Sequence, residues 1–110
     1  MKNDKILSLL GLAKKAGKLK SGEFSVETEL KKGKAKVVVV ANDASDNTKK
    51  KYRDMCTYRR VPIYFYSDME SLGKCIGTEF RAGVVVTDEG FANGIIKAFR
   101  DNQSDVEVVE

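Results

Sequence analysis

The chain contains no histidine and no tryptophan, and it has only one proline and two cysteines among 110 residues. The lack of histidine excludes serine–histidine and cysteine–histidine nucleophile pairs, as well as iron sites built from two histidines and a carboxylate. Two thiolates alone do not satisfy a structural zinc ion, which takes four ligands. Cys56 and Cys75 follow apolar spacing on predicted helices, so we expect both to be buried, free thiols.

The sequence also lacks long apolar segments. No stretch approaches the roughly 20 apolar residues that cross a bilayer, and the first 30 residues contain no apolar run of signal-peptide type. We therefore expect a cytoplasmic protein without membrane contact. The length and the 42% hydrophobic content are typical of one folded domain. We place that domain at residues 1–100 and expect a disordered tail at 101–110, which has four acidic residues and no basic one.

Charge is distributed unevenly along the chain. Residues 1–60 contain 16 basic and 7 acidic residues, a net charge of +9, whereas residues 61–110 contain 4 and 9, a net charge of −5. Lysine and arginine favour binding to nucleic acids because they release condensed counterions. A solvated, lysine-rich surface would give the same composition, so charge alone leaves the partner open.

Three runs rich in β-branched residues, Val37–Ala41, Val61–Tyr66 and Val84–Val86, predict strands covered on both faces. Brief alternation at Lys18–Ser21 predicts a fourth, short strand. Helical periodicity predicts helices at 3–16, 22–33, 46–59 and 68–76, with a last helix capped by Asp88. Ser67 and Glu70 have the spacing of a capping box. The alternation predicts an α/β sandwich with helices on both faces of a small sheet.

Two carboxylate pairs follow predicted strands. Asp43 and Asp46 come after the first long strand, and Asp88 and Glu89 come after the last one. If these strands were parallel, the side chains would meet at one sheet edge and could hold Mg²⁺ for phosphoryl transfer. Helix capping is the favoured explanation for Asp46 and Asp88. The glycines match neither the dinucleotide-binding nor the Walker spacing.

Aromatic residues suggest two other kinds of binding surface. Phe80 and Arg81 precede two small residues, a combination suited to stacking on an unpaired base. A core-covering role for Phe80 fits the same pattern. A second hypothesis is a protein adaptor that docks through Tyr64, Tyr66 or Phe91 without touching RNA.

Four ordered blocks carry a resemblance to a known family: Ala16–Gly22, Lys32–Ser45, Leu72–Gly77 and Phe80–Val86. They resemble the kink-turn-binding ribosomal-protein family, which includes large-subunit proteins of the seven-A-e and thirty-e types. The similarity extends over about residues 5–100. The stretches 43–48 and 88–92 are similar to a small bacterial branch of this family. The resemblance implies a single-domain, three-layer α-β-α sandwich around a small mixed four-stranded sheet, with no enzymatic activity, metal or cofactor.

The resemblance also implies where RNA binds. In this family the turn at Gly22, the segment at Asn42 and the loop Phe80–Gly83 converge at one sheet edge and grip a sharply bent RNA internal loop. The Asn-Glu-x-x-Lys signature of the seven-A-e type falls on Phe24–Thr28 and is absent. The expected partner is a structured, kink-turn-like RNA, ribosomal or ribosome-associated, bound by a monomer. The expected RNA-binding residues are Gly22, Glu23, Phe24, Ser25, Thr28, Lys31, Lys32, Lys36, Asn42, Lys49, Phe80, Arg81, Ala82 and Gly83.

Overall fold

The computed structural model describes residues 4–101 and 107–109. Helices and strands alternate along these residues, as the periodicity predicted, with boundaries that shift by at most two residues. The elements are α1 (Lys5–Lys15), β1 (Leu19–Ser21), α2 (Glu23–Lys31), β2 (Val37–Val40), α3 (Asp46–Arg59), β3 (Ile63–Phe65), α4 (Met69–Cys75), β4 (Gly83–Val86), α5 (Glu89–Asp101) and β5 (Glu107–Val109).

The strands form one mixed sheet in the order β1-β4-β2-β3-β5. Only β2 and β3 are parallel, and the other neighbouring pairs are antiparallel. The four predicted strands lie side by side, and β5 pairs with the outer edge of β3. Residues 107–109, which fall inside the tail expected at 101–110, form this strand at an open sheet edge. Residues 102–106 and 110 lie outside the described residues.

Two cores lie on opposite faces of the sheet, which confirms the α-β-α layers. Val37 and Val39 pack in the core formed with α1, α4 and α5, whereas Val38 and Val40 pack in the core formed with α2 and α3. Successive side chains of a strand point to opposite faces, so all four valines of β2 are buried. This double burial explains the unbroken apolar run in the sequence.

The start of α4 differs from the predicted capping box. Asp68, not Ser67, is the N-cap, and its carboxylate accepts a hydrogen bond of 2.7 Å from the Ser71 amide. Ser67 has a φ of 64°, and its carbonyl accepts a 2.8 Å bond from the Asn42 amide. The backbone thus turns Ser67 away from α4 and ties it to the end of β2. At α5 the predicted cap, Asp88, accepts from the Phe91 amide at 2.9 Å.

Both cysteines have free thiols, and Cys56 is buried while Cys75 is partly buried. Among the described residues, no helix has the length and apolar character needed to cross a membrane.

Candidate nucleic-acid interface

Three chain segments meet at the end of the sheet where β2 ends and β4 begins. The Gly22 amide donates to the Gly83 carbonyl at 3.1 Å, and the Ala41 amide donates to the Ala82 carbonyl at 2.8 Å. These bonds join the start of α2, the residue before Asn42 and the loop that carries Phe80. We call the surface formed by Gly22, Glu23, Phe24, Asn42 and residues 80–83 the recognition face. The convergence implied by the family resemblance is present in the structure.

Two aromatic rings project from the recognition face. Phe80 is 65% exposed and Phe24 is 82% exposed. A core-covering role for Phe80 is therefore excluded. Exposed rings beside cationic groups are the usual stacking platform for unpaired bases.

Arg81 is held in place beside Phe80 by three contacts. Its Nε donates to Ser21 Oγ at 3.1 Å, one terminal nitrogen donates to the Phe80 carbonyl at 2.9 Å, and its backbone amide donates to the Met69 carbonyl at 3.1 Å. The guanidinium has five N–H donors, so these contacts leave others for a ligand. The bonds to Ser21 and to the Phe80 carbonyl pre-orient a cation at the backbone of the residue that carries the exposed ring.

The start of α2 is open to an anion. Gly22 is the N-cap residue, has a φ of 93° and provides no side-chain cap for α2. Space is open around its Cα, since an added Cβ would meet no atom within 4 Å. The first amides of a helix lack intrahelical partners and carry partial positive charge, which favours bound phosphate.

Carboxylates near this helix start are neutralised by lysines. Glu23 forms an ion pair with Lys51 of α3, and Glu27 pairs with Lys31 at 3.4 Å. The hydrogen bond to Glu23, with the charge of that carboxylate, raises the pKa of Lys51. The repulsion that unpaired carboxylates would exert on phosphate is thereby reduced. Neither Lys51 nor Ser21 was predicted as a site residue, because each acts through a contact between elements distant in the chain.

The structure separates some predicted site residues from the recognition face. Lys31, Lys32 and Lys36 are exposed at the opposite end of α2, which is about 13 Å long. The Thr28 hydroxyl donates to the Phe24 carbonyl at 2.8 Å within α2. Ser25 is partly buried in α2, and Lys49 is partly exposed in α3. The fold does not bring all fourteen predicted residues together in one compact site.

The carboxylates proposed for magnesium are not brought together. β2 and β4 are antiparallel, so Asp43 after β2 and Asp88 after β4 lie at opposite ends of the sheet. Asp43 accepts a 2.8 Å bond from the Met69 amide, and Asp46 lies in the first turn of α3. Within 4–101 and 107–109, no three histidine, cysteine or acidic side chains are grouped as metal ligands. The phosphoryl-transfer hypothesis loses its structural basis.

The rings proposed for an adaptor surface are mostly internal. Tyr64 is buried and stacks on Phe99 with ring centroids 4.2 Å apart. Tyr66 packs edge-on against Phe99, and its hydroxyl donates to Asp4 at 2.7 Å. Phe91 is partly buried against the same core. Tyr64 therefore cannot contribute to a docking surface, and Tyr66 and Phe91 are only partly accessible.

The three-layer sandwich, with exposed aromatic rings and Arg81 at one sheet edge, defines an α/β protein of the ribosomal-protein-like class. The sequence profile described as "Ribosomal protein L7Ae/L30e/S12e/Gadd45 family" matches residues 4–96. The chain belongs to this family.

Similar proteins come from bacteria and archaea. The chain is 48% identical over 88 residues to the RNA-binding protein YlxQ of Bacillus subtilis (strain 168), covering 80% of this chain and 88% of the relative. It is 42% identical over 88 residues to the RNA-binding protein YlxQ of Enterococcus faecium, covering 80% and 84%. It is 29% identical over 89 residues to the large ribosomal subunit protein eL8 of Thermoplasma volcanium, covering 80% and 74%. The similarity to a small bacterial branch of the family is confirmed.

Solved structures agree with the fold. A Bacillus halodurans C protein described as having unknown function superposes with a TM-score of 0.85 and 34% identity, over 89% of this chain and 99% of that one. The Giardia lamblia 15.5kD RNA binding protein superposes with a TM-score of 0.75 over 94% and 92% of the two chains. At 18% identity the second similarity concerns the fold alone.

Proposed function

We propose that this protein binds folded RNA, without catalysis, through the recognition face. The observation that carries the proposal is the exposed Phe80 ring, 65% accessible, beside an Arg81 guanidinium that Ser21 orients. A ring and a fixed cation on one loop provide stacking and phosphate binding at the same place. Two relatives named as RNA-binding proteins support this reading. A non-enzymatic role agrees with the RNA-binding and ribosomal names of the matched relatives.

A bent or looped RNA fits the recognition face better than a continuous duplex. Bases in a duplex are stacked on each other, whereas an internal loop offers unstacked bases to Phe80 and Phe24. The α2 amides beside Gly22 then bind a phosphate of the same loop. A kink-turn presents both features, so we include it as the RNA class. Because Phe24 and Thr28 occupy the Asn-Glu-x-x-Lys positions, recognition depends on stacking and shape here.

The proposal also covers the source of the RNA, the oligomeric state and the cellular location of the protein. A ribosomal or ribosome-associated RNA is supported by the similarity to a large-subunit protein. We propose a monomer, because a single copy carries the whole recognition face. A cytoplasmic location accords with the two free thiols.

The direct test is a fluorescence titration with a kink-turn RNA and a duplex of equal length, over a series of salt concentrations. We expect tighter binding to the kink-turn at every salt concentration. Phe80→Ala should lower that affinity by about 1–3 kcal/mol, a 5- to 150-fold rise in Kd. Tyr58→Ala is the matched control, because Tyr58 is 81% exposed and lies near the far end of α3. Equal, weak binding to both RNAs, or equal effects of both substitutions, would refute the proposal.

A further inference from the structure

A second cationic surface lies away from the recognition face. It is a cavity of about 450 Å³ at the end of the sheet where β1 and β2 begin and β4 ends. Five lysines line it: Lys18, Lys20, Lys32, Lys34 and Lys36. We call it the lysine cavity. Lys36 precedes β2 and Asn42 follows it, so the two surfaces are separated by about 20 Å along that strand.

The charge of the lysine cavity is poorly balanced. All five lysines are exposed, and within the described part of the chain none lies within 4 Å of a carboxylate. In contrast, Lys50, Lys74 and Lys97 each pair with an acidic residue four positions away. Glu29 is the one acidic residue in the lining, and it is only 9% exposed. A concave surface lined by like charges concentrates positive potential and attracts anions.

The backbone holds these lysines in fixed positions. The Lys18 carbonyl accepts a 2.9 Å bond from the Thr87 amide. The Lys36 amide donates to the Val86 backbone carbonyl at 2.8 Å, and the Lys34 amide donates to the Glu29 backbone carbonyl at 3.0 Å. Gly33 has a φ of 74°, a left-handed conformation that closes the turn between Lys32 and Lys34. The ammonium groups therefore start from rigid anchors, which reduces the entropy lost when they bind an anion.

We infer that the lysine cavity is a second phosphate-binding surface, which takes the sugar-phosphate backbone of a segment flanking the loop held by the recognition face. This inference depends on the proposed function. The cavity lining contains no aromatic ring among the described residues, so it offers charge without a stacking platform. Lysine binds phosphate as a point charge. The segment is therefore held independently of its sequence, and it must extend about 20 Å from the recognised loop.

The test compares two RNAs that share one kink-turn, the first with both stems trimmed and the second with long flanking stems. Lys18→Gln combined with Lys34→Gln removes two cavity charges, and Lys74→Gln with Lys97→Gln removes two charges elsewhere. We expect the cavity variant to lose affinity for the long RNA only. Its plot of log affinity against log salt should become shallower by about 2, roughly one per lost phosphate contact. The control variant should behave like the unmodified protein.

Three outcomes would overturn the inference and leave the proposed function intact. If the cavity variant has the same affinity as the control variant for both RNAs, the cavity does not contact RNA. If the cavity variant loses the same affinity for both RNAs, the loss comes from the change in overall charge and not from a contact with the flanking segment. If it loses binding to polyglutamate while both RNA affinities stay unchanged, the cavity serves an acidic protein. Failure of the unmodified protein to bind either RNA would instead refute the proposed function, and the inference with it.

Discussion

Gly83 lies directly against the ring of Tyr52, so closely that a Cβ atom at position 83 would be 2.8 Å from Tyr52 Cζ. Gly83 begins β4 immediately after the loop that carries Phe80 and Arg81. The buried ring, on α3, therefore requires glycine at this position and sets how closely the loop approaches the helix layer.

Gly83→Ala should destabilise the fold by about 1–3 kcal/mol, because the added methyl group overpacks a filled core. Gly94→Ala is the control, since Gly94 lies inside α5 and a Cβ there would meet no atom within 4 Å. The control should gain up to about 1 kcal/mol from helix propensity. Urea unfolding followed by circular dichroism measures both. A neutral Gly83→Ala would contradict the observed packing.

Tyr52→Phe should raise the free energy of unfolding by about 1 kcal/mol. The Tyr52 hydroxyl is buried and has no hydrogen-bond partner among the described residues, an arrangement that costs roughly 1–3 kcal/mol. Tyr66→Phe should have the opposite effect, a loss of about 1 kcal/mol, because that hydroxyl donates to Asp4 at 2.7 Å. Loss of stability in both variants would mean that the Tyr52 hydroxyl is hydrogen-bonded in solution.

Lys51→Ala should weaken RNA binding although Lys51 is not a predicted contact. Its removal leaves the Glu23 carboxylate unpaired at the start of α2, where it repels phosphate. Adding Glu23→Gln to the same variant should recover most of the lost affinity. Titration of the four proteins of this cycle with kink-turn RNA gives the coupling between the two residues. If the double variant binds as weakly as Lys51→Ala, Lys51 contacts the RNA itself and the neutralisation argument fails.

Gly73→Ala, on α4, should displace the loop that carries Phe80 and so disturb the recognition face. A Cβ at position 73 would lie 1.6 Å from the Glu79 carbonyl, next to Phe80, so the backbone of the loop has to move. We expect lower stability together with weaker RNA binding. Gly11→Ala is the control, because its Cβ would approach the Cys75 carbonyl at 2.7 Å, away from the loop. That variant should lose stability and keep its RNA affinity when both are assayed under folding conditions.

Cys56 should make stability depend on pH in the alkaline range. Burial raises the pKa of its thiol from 9.0 to about 12. The folded state therefore keeps this proton at pH values where the unfolded chain has lost it. The contribution of the thiol to the free energy of unfolding is complete below pH 9 and declines between pH 9 and 12. The stability difference between the unmodified protein and Cys56→Ala should shrink by up to about 1.4 kcal/mol per pH unit in that range. A constant difference from pH 8 to 11 would show that the thiol is not shielded.

The helices and strands could be predicted from the sequence because their signals are local. Four consecutive valines predicted a strand buried on both faces, and β2 is that strand. Asp88 before an amphipathic segment predicted a cap, and it accepts from the Phe91 amide. The parts of the recognition face were also visible, since Gly22, Asn42 and the 80–83 loop lie in blocks that resemble the family.

The spatial grouping of residues depended on the tertiary structure. The antiparallel pairing of β2 with β4 places Ala41, the residue before Asn42, beside Ala82 and moves Asp88 and Lys36 to the other end of the sheet. Strand direction is set by long-range hydrogen bonds, which no local pattern contains. Two further features also depend on how helices and loops pack on the sheet. They are the ion pair between Glu23 and Lys51 and the exposure of Phe80. Composition and periodicity determined what the elements are, and packing decided which side chains face the same ligand.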